Sequence, residues 1–304
     1  MTQDLRVIVF PGGFNLPIWA AERQGFFEEQ GVRVVLTPTP SSTFQMQGLA
    51  EERFDIAMTA FDNVVAYQEG QGEASIPPNP DMFAFMGSDQ GFLSVIGGRE
   101  VKSFKDLKGK KLSVDALTTG YAFVLRELLA RSGIAEADVT FDRAGGALSR
   151  FQELLKGTHA GTILVTPFDL LAMNKGHARL AVAHEQLGAY QGVVAAARRS
   201  WAAKNESALV GFVRAYHAGV EFLYSNSEIA AALLVANVRA MTPALAKQTL
   251  EVLLDPASGF FRDVRLDSAG MQTVLALRSR FGNVKLYDPQ KYLDPSYRKK
   301  ALTR

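Results

Sequence analysis

Residues 5–36, Leu5-Arg6-Val7-Ile8-Val9-Phe10-Pro11-Gly12-Gly13-Phe14-Asn15-Leu16-Pro17-Ile18-Trp19-Ala20-Ala21-Glu22-Arg23-Gln24-Gly25-Phe26-Phe27-Glu28-Glu29-Gln30-Gly31-Val32-Arg33-Val34-Val35-Leu36, read as strand, glycine turn, helix, strand. The run at 5–10 is apolar and β-branched, the mark of a strand buried on both faces. Residues 11–15 are turn formers. Residues 18–30 carry helical spacing, with Ile18, Ala21, Gly25 and Phe26 near one face. Gly31 closes that helix, because glycine tolerates the left-handed dihedrals that follow a last turn. Residues 32–36 form the next strand. In an open parallel sheet a ligand binds beyond the carboxyl ends of the strands. Phe14 and Asn15 would stand there, beside the free N–H groups of a helix start.

The same alternation continues. Ser41-Ser42-Thr43 offers N-cap hydroxyls before a short helix at 44–50. Strands are expected at 54–58 and 82–86, with a helix at 64–69 between them and a polar, proline-rich loop at 72–80. This β-α-β-α-β-α-β order predicts a parallel sheet. After a pause at 87–91, strands are expected at 92–96, 112–114, 139–141, 161–165, 180–183 and 192–197. The helices between them lie at 121–132, 147–156 and after Thr166-Pro167, with proline at the first helical position. The pause at 87–91 and the segment 187–191 read as crossings between two lobes. The remainder is helical, at 201–224, 227–238, 243–254 and 268–281.

The chain has 304 residues, which suggests two lobes. Its net charge of +2 gives no case for a polyanionic partner such as nucleic acid. There is no cysteine, which excludes disulfides, thiolate nucleophiles and cysteine metal sites. No apolar run approaches the roughly 20 residues that span a bilayer. Met1-Thr2-Gln3-Asp4 leads straight into the first strand, so the expectation is either a cytoplasmic chain or an exported one in processed form.

Four local patterns then coincide in order: Ala21-Glu22-Arg23-Gln24-Gly25-Phe26-Phe27 with Gly31-Val32-Arg33-Val34; Leu49 with Phe54-Asp55-Ile56-Ala57; Phe104-Lys105-Asp106-Leu107-Lys108-Gly109-Lys110-Lys111-Leu112-Ser113-Val114; and residues 167–176. Together, over roughly residues 5–225, they resemble the periplasmic solute-binding proteins of ABC importers, in the nitrate/sulfonate/taurine and thiamine-pyrimidine-precursor branch. Glu52 departs from that pattern, standing where the family often has glycine. The resemblance implies an α/β, two-lobed periplasmic-binding-protein-like fold of type II, with two parallel-rich sheets, flanking helices and a two-segment hinge. Residues 1–88 and 192–304 would form the first lobe and 89–191 the second. It further implies a periplasmic, monomeric binder without cofactor or chemistry of its own. Such a protein captures a small polar or heteroaromatic solute (a sulfonate, a carboxylate or a pyrimidine-like ring) and delivers it to the membrane subunits of an importer. The alternative is an enzyme of the same fold acting on a small precursor. Its pyrimidine-synthase form is disfavoured, because the cysteine-rich iron motif of that enzyme is absent; a menaquinone-pathway form stays open.

The candidate ligand contacts lie at strand ends and crossings, and each has a structural rival. Phe14 and Asn15 suit a small planar ligand, or they pack and cap. Ser41, Ser42 and Thr43 present a helix start to an anion, or simply cap it. Asp62, between Phe61 and Asn63, would pair with a ligand amine, or cap. Asp89 binds ligand or holds the first crossing in a turn. Thr118, Thr119, Gly120 and Tyr121 open a helix with a backbone that a ligand can approach. Phe168 and Asp169 start another helix, where the dipole alone would favour the acid. Tyr190 and Gln191 cover the ligand or pack the second crossing. His159, His177, His184 and His217 lack the i, i+4 spacing of a zinc pair. There is no Gly-x-Ser-x-Gly elbow and no dinucleotide fingerprint around Gly12-Gly13. Arg298-Lys299-Lys300 reads as a solvated tail.

Overall fold

A computed structural model describes residues 2–78 and 80–303. β1 (Gln3–Val9) passes through a 3-10 turn at Gly13–Asn15 into α1 (Leu16–Arg23), α2 (Phe26–Glu29) and β2 (Val32–Pro38). Next come α3 (Ser42–Ala50), β3 (Ile56–Ala60), α4 (Phe61–Gln68) and β4 (Met82–Gly87). The middle third is β5 (Leu93–Gly97), β6 (Lys111–Val114), α5 (Gly120–Arg131), β7 (Thr140–Arg143), α6 (Ala147–Lys156), β8 (Gly161–Val165), α7 (Phe168–Met173), β9 (Arg179–Val182) and α8 (Ala183–Leu187). The chain returns through β10 (Val193–Arg198) and ends in helices: α9 (Arg199–Lys204), α10 (Glu206–Ser225), α11 (Ser227–Asn237), α12 (Pro243–Leu253), α13 (Ser268–Phe281) and α14 (Ser296–Leu302).

Two five-stranded sheets result, ordered β2-β1-β3-β10-β4 and β7-β6-β8-β5-β9. In each, four strands run one way, and the strand in fourth place runs against both neighbours. Those two strands, β10 and β5, are the ones that arrive directly from the other sheet. A chain leaving one sheet at the carboxyl end of its strands enters the next from the facing side, so it must run opposite to the rest. Residues 88–92 and 188–192 make the two crossings. The carboxyl ends of the other strands in both sheets thus face one another. Each sheet is a true core: Leu5, Val7 and Ile8 of β1 in the first and Val95 and Ile96 of β5 in the second are fully buried. Burying such side chains contributes about 1.5–3 kcal/mol each.

Four local expectations need correction. Residues 18–30 are two helices, because Gly25 takes φ 76° and turns the chain between α1 and α2. Residues 201–224 are likewise two, split at Asn205, whose Nδ2 donates to the Trp201 carbonyl at 2.9 Å. Pro167 precedes α7 rather than opening it, following a cis peptide bond. The basic end is α14, not a tail. Its Tyr297 and Ala301 are buried, Arg298 pairs with Asp263 at 2.8 Å and Lys300 with Glu206 at 2.7 Å. Glu52 does adopt the left-handed backbone that glycine favours, φ 62°, and it pairs at 3.0 Å with the buried Arg198. That ion pair gives a physical reason for a side chain at a strained position.

The two crossings are fastened to each other by Asp89. One carboxylate oxygen accepts from the Gly91 and Val193 amides at 2.8 and 3.2 Å, and the Gly192 amide donates to the Asp89 carbonyl at 2.9 Å. The other carboxylate oxygen has no partner. Burial pushes this carboxyl up to about 6. The folded state therefore holds a proton that the unfolded chain releases near pH 4, so stability falls as pH rises from about 4 to about 6. Asp89→Asn keeps both accepted bonds and removes the titration. Urea unfolding of wild type and variant should diverge across that interval, by about two pH units at about 1.4 kcal/mol per unit, or about 3 kcal/mol. Parallel curves would show that the crossing carboxyl does not titrate there.

Candidate functional site

Strand-end residues of both sheets enclose a cavity, with about 500 Å³ of space between side chains, part of it open to solvent. Phe10 follows β1, Phe14 lies in the turn behind it, Ala60 ends β3, Asn63 sits in the first turn of α4 and Val193 opens β10. From the second sheet come Asp115 after β6, Thr119, Gly120 and Tyr121 at the start of α5, Ala147 and Arg150 of α6, and Val165 at the end of β8. The walls are mainly apolar and aromatic, with a few polar groups among them, the usual make-up of a small-molecule site.

The polar groups are specific. Asp115 Oδ2 accepts the Ser42 amide at 3.0 Å, while its buried Oδ1 has no partner. Burial raises the Asp115 carboxyl above the usual carboxylate range, and the Arg150 charge opposes that shift. Arg150 is itself buried, and Nε, Nη1 and Nη2 donate to the carbonyls of Ile163 and Gly145 at 3.2, 2.6 and 3.1 Å. Desolvation lowers its pKa, with Asp115 acting the other way. Asn63 Nδ2 donates to Thr59 Oγ1 at 2.8 Å. Burial raises the Tyr121 phenol, which therefore stays neutral.

The lobes are closed on each other. Across the seam the Gly146 amide donates to the Pro40 carbonyl at 2.8 Å, and the Gly13 amide to the Thr166 carbonyl at 3.2 Å. The Thr118 amide donates to Glu73 Oε1 at 3.1 Å and its hydroxyl to the Gln71 carbonyl at 3.0 Å. Arg143 pairs with the other oxygen of Glu73 at 2.7 Å. Arg280 pairs with Glu127, and Phe281 stacks on Phe123 with ring centroids 5.8 Å apart.

Of the residues singled out from the sequence, Phe14, Asn63, Thr119, Gly120 and Tyr121 line the cavity. The others are engaged elsewhere. Asn15 donates from Nδ2 to the Phe10 carbonyl at 2.7 Å. Ser41 caps α3 by accepting from the Phe44 amide at 3.2 Å and also meets Thr43 Oγ1 at 2.9 Å. The Ser42 amide is taken by Asp115, so the anion at that helix start is the protein's own carboxylate. Phe61 packs edge-on against Tyr292 in the core. Asp62 does not face the cavity with a free carboxylate. It is fully buried against Arg278, which donates to both its oxygens at 2.7 and 2.5 Å. Arg278 also donates to Gln71 Oε1 at 2.9 Å and, across the seam, to the Thr118 carbonyl at 2.6 Å. Asp89 holds the crossings, as above. Phe168 packs on Phe151, and Asp169 Oδ2 accepts from Ser94 Oγ at 2.9 Å. Gln191 ties the second crossing to Val193 at 3.2 Å and to the Asp267 amide at 2.7 Å. Tyr190 is buried beside Tyr121, centroids 6.4 Å apart, with its hydroxyl unpartnered. His177 bonds the Gly97 carbonyl and His159 meets Asp142. Among the described residues no three or more His, Cys, Asp or Glu gather as a metal site would require.

The sequence reading missed Phe10, Ala60, Asp115, Ala147, Arg150, Val165 and Val193. Two signals were present for the charged pair. Asp115 is the first residue after a strand. Arg150 stands in the i, i+3, i+4, i+7 stripe Ala147, Arg150, Phe151, Leu154, where every other member is apolar.

The architecture is that of the two-lobed periplasmic-binding fold. It is similar to the ligand-binding component of an ABC-type import system from Staphylococcus aureus, whose structure has zinc bound (TM-score 0.80, 12% identity, 99% of each chain covered). It is also similar to the periplasmic nitrate-binding protein NrtA from Synechocystis PCC 6803 (TM-score 0.80, 12% identity, 99% of this chain and 88% of that one). A third likeness is to the alkanesulfonate-binding protein SsuA from Xanthomonas axonopodis pv. citri bound to MOPS (TM-score 0.74, 16% identity, 98% of this chain and 97% of that one). No curated protein matches the sequence. The family model described as NMT1/THI5 like matches residues 15–230, and the chain belongs to the NMT1/THI5-like family.

Removing the Asp62 carboxylate leaves Arg278 buried without its counter-charge. Asp62→Ala should lower stability by about 3–5 kcal/mol in urea unfolding. A loss below about 1 kcal/mol would mean that water or Gln71 replaces the pair.

Proposed function

We propose that the protein is a periplasmic, monomeric solute-binding component of an ABC importer. It closes residues 1–88 with 192–304 onto residues 89–191 around a small ligand and presents the closed form to the importer's membrane subunits. Family membership and the binding proteins that share the fold support this reading. The observation that carries it is a cavity built from strand ends of both lobes, with an unpartnered carboxylate oxygen, Asp115 Oδ1, among aromatic walls. The ligand that completes this site is small and planar and bears an N–H donor, as an aminated heteroaromatic ring does. Phe10, Phe14 and Tyr121 offer faces to the ring, Asn63 a side-chain amide and Asp115 the acceptor. Thr119 and Gly120 contribute to the cavity wall. Glycine at 120 lets α5 start against Asp62 of the other lobe, where a Cβ would meet the Asp62 Cβ at 2.4 Å. The protein itself performs no chemistry on the solute in this reading.

A second reading has one specific support. Buried Arg150 and the amino ends of α5 and α6 favour a compact anion such as a sulfonate or carboxylate. The Asp115 charge opposes it, and the three guanidinium nitrogens of Arg150 are already bonded to carbonyls.

A thermal-shift panel of aminopyrimidines, sulfonates, carboxylates and nitrate tests both readings. A ligand at a hundredfold excess over its Kd raises stability by about 2.7 kcal/mol. The shift is expected from the aminated ring, and the compound should be recovered unchanged. Asp115→Asn should then weaken its binding by about 1.5–3 kcal/mol, the worth of a hydrogen bond to a charged group. Binding should also weaken on acidification, because protonation of Asp115 occurs above the ordinary carboxylate range and removes the acceptor charge. A shift from the anions alone, strengthened by Asp115→Asn, would replace the first reading with the second. Consumption of the compound would make the protein an enzyme.

A further inference from the structure

A second and larger opening, with about 1300 Å³ of space between side chains and likewise part open to solvent, lies beside the central cavity and uses a different set of side chains. Its first-lobe wall is Trp19, Leu36 and Val238, and its second-lobe wall is Leu148, Phe151 and Leu155. Phe10 and Phe14 face the central cavity, while Val9, Pro11 and Gly12 face this groove, so the chain behind β1 separates the two. No carboxylate lines it. Lys175 and Arg239 do line it, both exposed and, among the described residues, neither in an ion pair. An apolar trough with two free cations and no acid is complementary to one kind of small molecule.

We infer that this groove binds an amphiphilic anion, an unbranched apolar chain ending in a carboxylate. The chain lies between the two apolar walls and the carboxylate is held by Lys175 and Arg239. Because the walls belong to different lobes, the occupant touches both only when they are closed. It therefore favours the closed form, and by linkage it and a ligand of the central cavity favour each other's binding.

Trp19 is a built-in reporter, since the chain has two tryptophans and the other, Trp201, is on α9. Decanoate, below its micellar concentration, should change Trp19 emission saturably in the Trp201→Phe protein. Calorimetry on the unaltered protein should give the same affinity, which keeps the test independent of that substitution. Decanol, with the same chain and no charge, should bind about tenfold more weakly. Combining Lys175→Glu with Arg239→Glu, both exposed positions, should weaken decanoate by about tenfold or more. Asp115→Asn should still bind decanoate saturably, its affinity moved only through the shared closure equilibrium, which separates this site from the central one. The inference is overturned if no saturable change occurs, if charge reversal leaves the affinity unaltered, or if Asp115→Asn abolishes the response and so places decanoate in the central cavity. None of these results bears on whether an aminated ring binds beside Asp115.

Discussion

The chain crosses between its two sheets at the carboxyl ends of their strands, and it crosses twice. That constraint orders the rest of the molecule. It forces β5 and β10 to run against their neighbours and leaves the ends of β1, β3, β6 and β8 facing one another. Backbone at those ends has left the ladder, so its side chains and the helix starts that follow are free to meet a ligand. It also concentrates strain and polarity at the crossings. Asp89 resolves this by accepting from amides of both segments with one oxygen, so the two crossings behave as one joint.

The buried acids around the closed seam divide their labour by what each already touches. Asp62 is matched by Arg278, Asp89 by hinge amides and Asp169 by Ser94. Asp62 and Asp169, so engaged, have little left to offer a solute, and Asp89, whose second oxygen is also unpartnered, does not line the cavity. Asp115 does. One oxygen anchors the start of α3 across the seam, and the other is left without a partner inside the cavity. Arg150 supplies the compensating positive field without forming a direct pair, because its nitrogens serve the carbonyls of Ile163 and Gly145. The central cavity is thus nearly balanced in charge but unbalanced in hydrogen bonds.

Much of the fold is legible in local sequence. The β-branched runs, the glycines after helices and the short loops mark the βα units because burial on both faces demands such runs. What local pattern does not carry is the partner at long range. The Asp62 carboxylate looks free until Arg278, 216 residues away, is folded onto it. The stretch at 296–302 looks like a charged tail because its acids, Asp263 and Glu206, lie far back in the chain. The breaks at Gly25 and Asn205 are hidden by an apolar period that continues through them. The strand-end rule led to residues that line the central cavity. It picked out Phe14, Asn63 and the 119–121 turn, yet passed over Asp115, one residue beyond the strand it was applied to.

The seam explains why an unpartnered acceptor is tolerated in the centre. Closure brings together the Gly146–Pro40, Gly13–Thr166 and Thr118–Gln71 bonds, the Arg143–Glu73 and Arg280–Glu127 pairs and the Phe123–Phe281 stack, none of which involves a solute. Left alone, these contacts would favour an empty closed form, and closure would then carry no information about the ligand. Burying Asp115 Oδ1 without a donor opposes that by about 1–3 kcal/mol, more for a charged group. A solute that supplies the missing donor cancels the penalty. The shift it produces is set by the difference between closing with the donor and closing without it, not by the total area buried. In the proposed reading, the seam fixes the geometry of closure, and the unsatisfied oxygen at its centre makes closure conditional on what lies inside.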